Sequence, residues 1–133
     1  VRWKPIFWNE ILVVALAFSS KFLRNTDMPA TQRKRLPNRR LNQTFSFIAA
    51  DGLRYTATAA WFDDGRLGEL FLGNHKSNSA ADTNARDAAI VLSIALQFGA
   101  DVETIRRALC RDGHGRASGV LGVALDRLAD AKS

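Results

Sequence analysis

The chain has 133 residues, 47% of them hydrophobic, and a net charge of +6. That apolar content can build a core and excludes a globally disordered chain, while the cationic surplus favours anionic partners: nucleic acid, nucleotides or acidic lipid. Cys110 is the single cysteine and His75 and His114 are the only histidines, far apart, so an internal disulfide is excluded and a metal site is not expected.

The first segment, residues 1–27, reads as an extension rather than as part of the domain. It carries Arg2 and Lys4 and then an apolar run from Ile11 to Phe18. The run is too short for a transmembrane helix, which needs ~20 apolar residues, so stable membrane insertion is not expected. Three readings stay open: a piece upstream of a natural start at Met28, a signal-like segment, or a packed helix. A reducing, cytoplasmic setting fits the lone cysteine.

Residues 28–43 read as an extended basic arm. Pro29 and Pro37 oppose helix, and "RKRLPNRR", Arg33 to Arg40, places five cations in eight residues. Three strands are expected next. "TFSFIAA" (Thr44 to Ala50) has Phe45 and Phe47 on one face, and "LRYTATAAW" (Leu53 to Trp61) puts Leu53, Tyr55, Ala57, Ala59 and Trp61 on one face. "LGELFLG" (Leu67 to Gly73) is the third. Asp51-Gly52 predicts a type I′ turn, and Gly65 makes the next one.

Helices follow. Ser79 with Asp82 resembles a capping box, and the helix after it ends at Gly99. From Ala88 to Phe98 that helix is apolar nearly all round, so it should be buried. Asp101 is expected to cap "VETIRRALCR", with Val102, Ile105 and Leu109 inward and Arg106, Arg107 and Arg111 outward. "DGHGRASG" is a glycine-rich turn. "VLGVALDRLAD" closes the chain as an amphipathic helix with Leu121, Leu125 and Leu128 on one face. The fold class is therefore α+β: a three-stranded antiparallel meander packed by three helices, occupying residues 44–131 behind the arm.

Two places can hold an anion. Arg35, Arg39 and Arg40 can bind phosphate through their guanidinium forks. The loop "GNHKSNS" stands at a helix N-terminus, where backbone N–H groups attract anions and His75, Lys76 and Ser77 add donors. The bland alternatives are a solvated or carboxylate-paired arm, with Asp63, Asp64 or Glu69 as partners, and a loop whose Ser79 only caps the helix. Neither His114 nor Cys110 is expected to be catalytic; Cys110 reads as a small half-buried residue. No catalytic triad, metal spacing or carboxylate pair stands out.

"RKRLPNRR", then "GLRYTATAAWFDDGRLGELFLGNHK", then "AIVLSIALQFGADVETIRRAL" resembles the C-terminal region of vitamin B12-dependent ribonucleotide reductases, the region carried by the TSCPD domain family. The resemblance runs from Arg33 to Ala129. It departs where the family's Thr-Ser-Cys-Pro-Asp should fall: "RASGVLG", Arg116 to Gly122, has neither Cys nor Pro. In the related full-length enzymes adenosylcobalamin is bound by a large barrel, and reduction needs several cysteines; no cofactor is expected on this chain alone. The resemblance implies a non-catalytic accessory that binds a nucleotide or nucleic-acid phosphate, or that docks on a reductase or other protein. The rival reading is a basic nucleic-acid-binding module.

Overall fold

The computed structural model describes residues 32–133. The extension at residues 1–27 and the start of the arm, including Met28 and Pro29, lie outside the described residues. The described part contains strands β1 (Asn42–Ile48), β2 (Arg54–Trp61) and β3 (Leu67–Asn74), then helices α1 (Ala80–Gln97), α2 (Val102–Ala108) and α3 (Val120–Asp130). The strands form one antiparallel sheet in the order β1-β2-β3. This is the expected α+β architecture.

The first hairpin differs in its turn. Ala49 N–H bonds to the Leu53 carbonyl at 3.0 Å and Gly52 N–H to the Ala49 carbonyl at 2.9 Å. Gly52 has φ +78°, and Asp51 is not in the left-handed region, so the type I′ pair does not form. The loop is instead three residues long, with a left-handed glycine closing it. The Asp51 side chain supplies the reason: Oδ1 accepts Leu53 N–H at 2.9 Å and Oδ2 accepts the Tyr55 hydroxyl at 2.6 Å. Burial, together with that bond, pushes the Tyr55 phenol up to about 12. The second hairpin repeats the construction, with Gly65 N–H on the Phe62 carbonyl and Asp64 Oδ1 accepting Arg66 N–H.

One face of the sheet carries Phe47, Tyr55, Ala57, Ala59, Leu70 and Leu72, all buried against α1 and α3. Small alanines on β2 let the helices approach closely. Leu53 was expected on this face but stands just after the turn, ahead of β2, and is 45% exposed. The opposite face is hydroxylic: Thr44 pairs with Thr58 at 2.9 Å and Ser46 with Thr56 at 3.3 Å.

Helix α1 runs along the β3 edge and closes it with side chains. Ser93 Oγ accepts Leu70 N–H, Gln97 Nε2 donates to the Gly68 carbonyl, and Asp82 Oδ1 accepts Asn74 N–H. The helix is therefore not buried on all sides. Ala85, Ala89, Leu92 and Leu96 face the core, but Ile90, Val91, Ile94 and Phe98 remain exposed, because the helix lies beside the sheet with no further layer among the described residues.

Helix α2 stops at Ala108, earlier than expected; Leu109 turns extended and leads into a small hairpin bridged at Arg111 and Ala117. Arg106 and Arg111 do not simply face solvent. Both grip Asp126 of α3, with Arg106 Nη1 on Oδ1 at 2.8 Å and Arg111 Nη1 on Oδ2 at 2.8 Å. These bonds tie α2, the hairpin and α3 together.

Candidate functional site

The basic arm is docked, not loose. Lys34 N–H donates to the Gln97 carbonyl at 2.8 Å, satisfying one of the carbonyls left open at the C-terminus of α1. Arg33 Nε donates to Gln97 Oε1 at 2.6 Å. Lys34 Nζ lies 4.9 Å above the Phe62 ring. Cations at this end also suit the helix dipole. Arg40 Nη2 meets Glu69 Oε2 at 2.6 Å, and its Nη1 donates to the Pro37 carbonyl. Of the three arginines singled out as phosphate ligands, Arg40 is thus held by a carboxylate, whereas Arg35 and Arg39 are exposed and make no ion pair among the described residues.

The loop before α1 fills its own anion cradle. The Asp82 carboxylate, 2% exposed, accepts Asn74 N–H at 2.9 Å and Asn78 N–H at 3.3 Å, and Arg86 Nε lies 3.0 Å away. The Asn74 bond, with help from Asn78 and Arg86, holds its carboxyl below the usual carboxylate range. Other donors of the loop are used too: Lys76 N–H on Asn74 Oδ1, and Ser79 N–H on the Lys76 carbonyl. Ser79 Oγ caps Asp82 N–H as expected, but Asp82 turns to Asn74 and Asn78 instead of returning to Ser79. His75, Lys76 and Ser77 are exposed.

The arm and the loop do not converge. The arm sits at the C-terminal end of α1 and the loop at its N-terminal end, and an 18-residue helix spans ~27 Å. Arg35, Arg39 and Arg40 therefore do not share one phosphate with His75, Lys76 and Ser77.

Between the hydroxylic face of the sheet and the exposed side of α1 lies a groove of about 550 Å³. Thr56, Thr58 and Phe71 form its floor, and Ile90 and Ile94 its wall. Arg33 stands at one end and Arg86 at the other. Counted along α1 from Arg86 to Gln97, the groove is ~16 Å long. The sequence reading missed this place, although Ile90, Val91 and Ile94 in an otherwise one-sided helix are its signal.

The remaining candidates stay apart from it. Cys110 is exposed rather than half-buried. His114 is exposed at the tip of the small hairpin, its N–H on Asp112 Oδ1. No three His, Cys, Asp or Glu side chains cluster as a metal site among the described residues, and none of the described helices is long and apolar enough to cross a membrane.

No family model matches the chain, and no solved structure matches it. Curated relatives do match, among them two vitamin B12-dependent ribonucleotide reductases. The vitamin B12-dependent ribonucleotide reductase of Bradyrhizobium diazoefficiens is 33% identical over 72 residues, and that of Agrobacterium fabrum 36% over 72 residues. Each match covers 54% of this chain and 6% of the relative. The chain is a distant relative of a short stretch of these reductases.

Proposed function

We propose that the chain is a non-catalytic docking domain of the TSCPD type, akin to the C-terminal region of vitamin B12-dependent ribonucleotide reductases and linked through its partner to deoxyribonucleotide synthesis. One observation carries this reading: the groove beside α1 leaves Ile90, Ile94 and Phe71 uncovered between two arginines. An exposed apolar patch with a polar rim is the ordinary form of a protein-docking site. The length of the groove suits a helix of about three turns with an apolar face and acidic residues at its ends, facing Arg33 and Arg86. The lone cysteine supports a role without reductive chemistry. A reductase chain is the partner the kinship favours.

The test is co-purification of the B12-dependent reductase from the native cell with the full chain and with an Ile90→Asp/Ile94→Asp variant. Both positions are exposed, so the fold should survive. Capture by the wild type and loss in the variant is expected. Equal capture by both, or none by the wild type, overturns the reading.

A second reading keeps phosphate as the ligand, and Arg35 and Arg39 favour it because they are exposed and carry no ion pair among the described residues. On this reading the arm alone contacts a nucleotide or nucleic-acid phosphate, without the His75–Ser77 loop. Its mark is affinity for single-stranded DNA or RNA that falls steeply with salt.

A further inference from the structure

The sheet has two edges, and among the described residues α1 closes the one at β3. The edge of β1 away from β2 meets no strand among the described residues. Its backbone polarity follows from the neighbouring bonds. Ala49 N–H reaches the Leu53 carbonyl and Trp61 N–H the Leu41 carbonyl, so odd-numbered residues of β1 bond to β2. The N–H and C=O groups of Asn42, Thr44, Ser46 and Ile48 therefore point outward.

Among the described residues this edge lacks the usual protection. "NQTFSFI" contains no charge and no proline, and the one register shift in the sheet falls between β2 and β3, away from it. Leu41 and Ile48 flank it at 83% and 60% exposure. Uncharged, and unpaired among the described residues, it is a template for another strand.

We propose that β1 pairs antiparallel with β1 of a second copy of this chain, about a two-fold axis at Phe45, to make a continuous six-stranded sheet. The sequence of the strand suits itself in this register. With Phe45 opposite Phe45, Thr44 faces Ser46 and Asn42 faces Ile48, and all of these are outward-pointing residues. Every free donor therefore meets a free acceptor, giving on the order of eight backbone bonds. A register displaced by one residue sets outward-pointing groups against groups already bonded to β2. The Thr44–Thr58 and Ser46–Thr56 hydroxyl pairs continue across the axis as Thr44–Ser46 pairs on the same face. On the other face the half-buried Phe45 rings meet at a closely spaced pair and remove each other from water. The backbone pattern would accept any extended strand; what favours a second copy is that the two-fold axis sets Phe45 on Phe45 and a hydroxyl on a hydroxyl at Thr44 and Ser46.

Sedimentation equilibrium on the full chain tests the register as well as the association. The wild type should weigh twice 14.7 kDa. Thr44→Lys/Ser46→Lys sets like charges opposite each other across the axis and should weaken the dimer roughly tenfold or more. Thr44→Lys/Ser46→Glu sets a lysine against a glutamate twice and should restore it. Thermal melts of each variant confirm that the monomer fold persists. A monomeric wild type overturns the proposal, and so does a dimer indifferent to the charge pattern.

Discussion

Ser93 and Leu70 meet where α1 closes the sheet. The serine hydroxyl accepts Leu70 N–H at 2.9 Å and lies 3.1 Å from the Leu70 carbonyl, and it is also 2.8 Å from the Ala89 carbonyl. With one proton it donates to one carbonyl at a time. A buried side chain thus does for the β3 edge what another strand does elsewhere.

Ser93→Ala removes the partner of a buried N–H at that edge. It should lower stability by ~1–3 kcal/mol, the cost of an unsatisfied buried group. Urea unfolding checks this. An unchanged midpoint would show that water or a small shift replaces the hydroxyl.

Arg40→Ala should destabilise the fold, because the Arg40 and Glu69 side chains are only 27% and 19% exposed and meet at 2.6 Å. The loss should be about 1–2 kcal/mol, between an exposed pair and a buried one. Arg35→Ala and Arg39→Ala should stay within ~0.5 kcal/mol of the wild type. If the two exposed arginines instead carry phosphate affinity, each should flatten the salt slope of DNA binding by about 1 unit while leaving the melting temperature alone.

Gly68→Ala should also destabilise. A Cβ there would lie 2.8 Å from Phe62 Cε2 and 3.1 Å from Leu36 Cδ1, so the Phe62 ring must shift and the Leu36 side chain must give way. Overpacking of this kind costs ~1–3 kcal/mol. Because Leu36 belongs to the arm, faster proteolysis around Arg33–Arg40 should accompany the loss. Equal cleavage of both proteins would refute the coupling.

Acid should unfasten α3. Hydrogen bonds from Arg111, joined by Arg106, pull the Asp126 carboxyl down from its ordinary 3.8 to about 2. A depressed carboxylate contributes stability above its unfolded value and loses it as pH falls through the folded one. The contribution should be intact above pH ~4 and vanish between ~4 and ~2, a change of about 2 kcal/mol. Asp126→Asn should remove that step from a plot of stability against pH and lower stability at pH 7. A mutant curve as steep as the wild type in that window would refute the assignment.

Much of the backbone was legible because local chemistry dictates it. Alternation in "RYTATAAW", the Ser79 and Asp101 caps, and Gly99 after α1 act within a few residues, and the structure has each of them. Partners distant in the chain were not legible in the same way. Glu69 was one of several carboxylates that could take Arg40, and only the β3 register brings it there. The anion cradle before α1 looked open because backbone donors can be read from a helix start, while the rotamer that sends Asp82 into them cannot. The composition of α1 said that it is apolar nearly all round. Whether each side is covered depends on how many layers surround it, and the sheet supplies one. That geometry, not the sequence, leaves Ile90 and Ile94 beside the hydroxyls of β2 and makes a groove.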